Sequence, residues 1–239
     1  MKNSWPLPAP RVPEEGERVP SPDQLPVART PVPRTLFVGL PGRMADVAAS
    51  IAMSPGPLPW LLDRAPVREK DLVAASYRPF QRGRPRAASL ARTLVAYIPE
   101  VLSHGGSRPE DSYVTELSAR DPTGPLQACL RDLVLRPDLV VVTAWAGQRV
   151  EWNLPIAPDV ACLQLFHDEL GRTLSHNVSP WAERRCGDCI EEHYNRHRST
   201  LRPHSVAEIV SRIATGWSAP PPSERIPAWT QCSCWWGGA

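Results

Sequence analysis

Four groups of residues have the types and spacing to do chemistry. The most highly charged runs from Tyr77 to Arg92 and contains Arg78, Arg82, Arg84, Arg86 and Arg92, with no acidic residue between Asp71 and Glu100. A guanidinium is a planar fork that bridges phosphate oxygens and stacks on flat faces; Tyr77 and Phe80 offer such faces between the arginines. Single-stranded RNA, held through phosphates and splayed bases, is the expected ligand. A solvated loop in an arginine-rich chain has the same sequence signature. The second group, Leu126, Leu130, Leu133 and Leu135, forms the apolar stripe of a short helix. Such a stripe seats in a partner's groove or turns into the protein's own core.

The third group is Cys186, Cys189, His193 and His197. On a helix the last three recur every four residues and share a face, and thiolate with imidazole is a zinc donor set. Cys232 and Cys234, or His204, could complete a structural zinc site; the alternative is a polar surface helix with incidental thiols. The fourth group is Gly39-Leu40-Pro41-Gly42, between an apolar run and a helical pattern. A glycine turn there lets the backbone approach a pyrophosphate at a helix N-terminus. Ala45 replaces the third glycine of that pattern, and Asp63 is the acidic residue some twenty positions on. Hydrolase logic finds little. His167-Asp168-Glu169 and His176 lack metalloprotease spacing, and nothing singles out Cys162 with His167 or His176 as a nucleophile and base.

Composition sets the frame. The chain has 239 residues, enough for one domain with tails, and a net charge of only +2. All but two of its 27 basic residues, Lys2 and Lys70, are arginine. Its 29 prolines concentrate at both ends. No apolar leader follows Met1 and no run approaches the roughly 18 residues of a membrane span. The expectation is a soluble intracellular protein whose six cysteines are thiols or metal ligands.

The elements that must position these groups follow from the apolar pattern. Residues 1–33 read as a disordered proline-rich arm and 219–239 as a proline-, tryptophan- and cysteine-containing tail. Between them, 34–218 read as a single α+β or α/β domain. Strands are expected at Thr35–Leu40, Tyr113–Leu117, Leu139–Trp145, Arg149–Asn153 and Val160–Phe166, with Leu58–Leu62 a further short apolar run and Ala146–Gln148 turning a hairpin between Leu139–Trp145 and Arg149–Asn153. Helices are expected at Arg43–Met53, Val67–Tyr77, Ala87–Leu102, Ala182–His197 and Ser205–Trp217, the last opened by the capping box Ser205-Val-Ala-Glu208. Pro79, Gly83 and Pro85 are expected to hold the arginines on an exposed, extended loop.

Two resemblances follow from these residues. Gly39-Leu-Pro-Gly42-Arg-Met44 is similar to the Gly-x-x-Gly-Arg-Met turn of dihydrodipicolinate reductases, and implies a nicotinamide-dependent α/β enzyme. The arginine patch followed by the leucine segment resembles umbravirus long-distance movement proteins. That family implies a non-enzymatic protein that packages RNA into ribonucleoprotein, self-associates, recruits fibrillarin and shuttles between cytoplasm and nucleolus. By position, nuclear entry would fall on Arg78, Arg82, Arg84 and Arg86. Binding of an export receptor would fall on Leu126, Leu130, Leu133 and Leu135. The leading expectation is this RNA transport protein, with no cofactor beyond a structural zinc; the reductase and a zinc-stabilised interaction module are the alternatives.

Overall fold

The computed structural model describes residues 24–63, 65–97, 137–145, 156–167, 173–183, 189, 192 and 204–216. They form one mixed α/β domain around a five-stranded sheet. β1 (Thr35–Val38) is buried on both faces, as its unbroken apolar run requires in a parallel sheet. The chain then turns into α1 (Met44–Ala52), in which every residue is buried. β2 (Trp60–Leu62) returns parallel to β1 on one side, with Leu36 opposite Trp60. β3 (Leu139–Trp145) lies parallel to β1 on the other side, with Thr35 opposite Leu139. β4 (Ala161–His167) pairs parallel with β3, and β5 (Thr173–Pro180) closes the sheet antiparallel to β4. The strand order is β2-β1-β3-β4-β5.

Two further helices complete the described core. α2 (Arg86–Tyr97) follows the arginine segment, and α3 (Val206–Thr215) lies late in the chain; both pack on α1. α3 buries Ile209, Val210 and Ile213. Its N-terminus carries the expected capping box: Glu208 N–H donates to Ser205 Oγ at 3.2 Å, and Ser205 N–H donates to Glu208 Oε2 at 2.8 Å. The core is continuous from Phe37, Val140 to Val142 and Leu163 in the sheet to Met44, Ile51 and Ile209 in the helices. Among the described residues no helix is long and apolar enough to cross a membrane.

Two readings of the sequence change. Val67–Tyr77 is not a helix but a short 3-10 turn, Glu69–Val73, followed by irregular chain. Side chains take its amides: Asp71 accepts from Arg68 N–H, and Asp46 accepts from Ala75 and Ser76 N–H. Such local capture competes with helical hydrogen bonding. The polar stretch after Asp168, where no strand is expected, forms strand β5; an antiparallel edge strand can be polar on its open face. β3 has β1 along Leu139–Val142 on one side and β4 on the other; the expected hairpin turn and its second strand lie outside the described residues. Arg149–Asn153, Tyr113–Leu117 and most of Ala182–His197 lie outside the described residues, as do the terminal arm to residue 23 and the tail.

Candidate functional site

The sheet reverses its order of addition between β1 and β3: β2 is laid down to one side of β1 and β3 to the other. In open α/β sheets ligands bind in the crevice beyond the carboxyl ends of the strands at this switch point. The turn from β1 into α1 sits there. Gly39 has φ +87° and Gly42 φ +46°, values at which a side chain is strained. A Cβ at Gly39 would lie 3.2 Å from the Thr143 carbonyl oxygen and 3.4 Å from Thr143 Cβ, so β3 comes hard against the turn. Thr143 is buried, yet its hydroxyl has no hydrogen-bond partner. Buried hydroxyls are nearly always paired, so Thr143 stands out beside the turn.

The amides of the turn already hold anions. Leu40 N–H donates to Asp63 Oδ2 at 2.7 Å, and Gly42 N–H donates to Asp71 Oδ1 at 3.0 Å. Asp63 stands just past β2 and also accepts from Ala65 N–H at 2.8 Å. Arg86, the first residue of α2, ties the two carboxylates together. Its Nε donates to Asp71 Oδ2 at 2.9 Å, its Nη2 lies 2.8 Å from the same oxygen, and its Nη1 lies 3.4 Å from Asp63 Oδ2. Tyr77 closes the group by donating its hydroxyl to the Leu40 carbonyl at 2.8 Å.

Burial governs the electrostatics. It pushes the Asp63 carboxyl above its ordinary pKa even though Arg86 and the Leu40 and Ala65 amides pull the other way. Burial also pushes the Tyr77 phenol well up, with Asp63 adding to it. For Arg86 burial works to lower the pKa, but Asp63 and Asp71 outweigh it and hold the guanidinium above its ordinary value. The cluster of one cation and two carboxylates is thus closed by the Leu40 and Gly42 amides.

The sequence-predicted groups fare differently. Arg86 is 1% exposed and engaged with two carboxylates, so it is not part of a phosphate-facing loop. Tyr77 is buried and offers no face for stacking. Pro79–Gln81 is a 3-10 turn rather than extended chain, and Arg82 pairs with Glu69 at 3.0 Å on the surface. Arg84 and Arg92 are exposed and Arg78 is half-buried. Leu126, Leu130, Leu133 and Leu135 lie outside the described residues, as do Cys186, His193 and His197; Cys189 is half-buried. Among the described residues no group of three metal donors comes together. Cys162 is buried within the sheet, in register with Ser179, which removes it as a nucleophile. The residues missed were Asp71 and Thr143. Only Asp71 left a trace, as the acidic residue that opens the acid-free run.

No protein-family model matches the sequence, and no curated protein matches it. Among solved structures, the chain is similar to E. coli MccB crystallised with selenomethionine MccA: 14% identity, TM-score 0.42, covering 76% of this chain and 52% of that one. It is similar also to E. coli MccB with ATP, at 13% identity and TM-score 0.39, covering 77% and 53%. The chain thus spans about half the length of the solved structures it matches. The expectation of a non-enzymatic RNA transport protein is corrected on the arginine run itself, which Arg86 breaks by turning into the core and in which Tyr77 is buried.

Proposed function

We propose that this is an enzyme domain of the α/β type that takes an adenine nucleotide in the crevice beyond the carboxyl ends of β1 and β3. One observation carries the proposal: a turn with two positive-φ glycines lies at the switch point, against a buried Thr143 hydroxyl that lacks a partner. The Leu40 and Gly42 amides with Arg86 form an anion-binding set, held in the ligand-free protein by Asp63 and Asp71. A nucleotide phosphate is an anion of the same kind and enters by displacing the Asp71 carboxylate from the Gly42 amide. On this reading Asp63, just past β2, is the carboxylate that would meet a ribose hydroxyl, as in dinucleotide-binding sheets.

The Gly39-x-x-Gly42-Arg-Met44 turn makes a nicotinamide dinucleotide one probe, and the ATP complex of MccB makes ATP the other. Equilibrium titration of the full chain with NADPH and with ATP tests the proposal. Saturable binding of at least one is expected, weakened several-fold by Thr143→Val with an unchanged thermal midpoint. Absence of saturable binding by either nucleotide overturns it.

A further inference from the structure

A second cavity, of about 230 Å³, opens where the 3-10 turn Pro79–Gln81 meets the first half of α2. Arg78, Arg84 and Arg92 line it, and among the described residues no carboxylate does. Among the described residues, neither Arg84 nor Arg92 forms an ion pair. Ser89 also lines the cavity; it is 2% exposed and its hydroxyl has no partner. Phe80 lies at the edge with 72% of its surface exposed, more than any other large apolar residue among those described.

The wall behind these groups is rigid. Gln81 Nε2 donates to the Ser89 carbonyl at 2.9 Å and to Thr93 Oγ1 at 3.1 Å, while Gln81 Oε1 accepts from Arg78 N–H at 2.8 Å. Thr93 Oγ1 in turn donates to the Ser89 carbonyl at 3.1 Å. The turn and the helix are therefore locked together, and the buried Ser89 hydroxyl is left over within an already ordered site. Pre-ordering of this kind lowers the entropy lost on binding.

From this geometry we infer a binding site for a small phosphomonoester whose oxyanion meets Arg84, Arg92 and the Ser89 hydroxyl while its apolar part lies on Phe80. Two guanidinium groups, Arg84 and Arg92, without an ion pair among the described residues select a charged oxyanion, and guanidinium–phosphate hydrogen bonds are among the stronger ones. The volume falls just below the roughly 300 Å³ at which drug-sized pockets begin, so it suits a ligand little larger than a phosphorylated ring. The site shares no residue with the switch-point crevice and stands or falls separately from the nucleotide proposal.

Calorimetric titration of the full chain with phenyl phosphate, inorganic phosphate and phenol tests the site. Phenyl phosphate should bind most tightly, inorganic phosphate more weakly, and phenol not measurably. Arg84→Gln and Arg92→Gln, both at exposed side chains, should each weaken phenyl phosphate about tenfold, as loss of a charge-assisted hydrogen bond does. Ser89→Ala should weaken it several-fold, with all three variants melting as the wild type does. Equal affinity for the variants and wild type, or no saturable binding of phenyl phosphate, overturns the site. An affinity for phenyl phosphate no greater than for inorganic phosphate overturns the role of Phe80 and with it the ligand class.

Discussion

Arg86 shows what a single residue's surroundings decide. In sequence it is one of five arginines in an acid-free run; in the fold it lies buried between Asp63 and Asp71, 23 and 15 positions away. Removing one partner of a buried ion pair leaves an uncompensated charge and costs about 3–5 kcal/mol. Arg86→Met should lower unfolding free energy by that order in urea titration, and a loss below about 1 kcal/mol would contradict the buried pairing. Arg82→Ala, which breaks the exposed pair with Glu69, should change stability by no more than about 1 kcal/mol. Asp46 offers a pH test. Burial raises its pKa even though Ser76 N–H, Ser76 Oγ and Ala75 N–H all donate to it. The folded state therefore binds this proton more tightly than the unfolded chain. The resulting stabilisation is complete below the ordinary aspartate value of about 3.9 and is lost as pH rises through the raised folded value. Asp46→Asn should flatten the fall in stability across that window; an unchanged slope of urea midpoint against pH would count against it.

At the scale of elements, the turn between β1 and α1 depends on Gly39. A side chain there meets both a left-handed backbone, which costs roughly 1–2 kcal/mol, and the Thr143 carbonyl at 3.2 Å. Gly39→Ala should therefore destabilise the domain by at least about 1–2 kcal/mol, whereas Gly83→Ala, with the same sign of φ and no atom within 4 Å, carries only the backbone share. The difference between the two isolates the approach of β3. Ser205→Ala removes the cap of α3 and should cost about 1 kcal/mol. These elements were legible because their signals are local. β1, the glycine turn, α1 and the Ser205 capping box each declare themselves within a dozen residues. β5 was not: the alternating polar residues of Thr173–Pro180 acquire meaning only once β4 supplies a partner edge. Val67–Tyr77 misled because its apolar spacing suits a helix, while Asp46, some thirty residues earlier, takes the amides.

Across the whole molecule, strand order makes the candidate site. A glycine turn is a common feature; the proposed nucleotide site rests on its place where β2 and β3 diverge from β1, beside an unpartnered Thr143 hydroxyl. Neither the order β2-β1-β3-β4-β5 nor the meeting of Asp63, Asp71 and Arg86 follows from any local spacing, since each joins segments that only the sheet brings together. The arginine segment divides in the same way: Arg86 serves the core, Arg82 a surface pair, and Arg84 and Arg92 a separate cavity. The direct test of the central claim is to follow backbone amide shifts by NMR as ATP or NADPH is added to the full chain. The proposed site predicts saturable shifts concentrated at Leu40, Gly42 and Thr143, with the Arg86 Nε–H moving as Asp71 is displaced. Saturating nucleotide that leaves these four signals unmoved would contradict it.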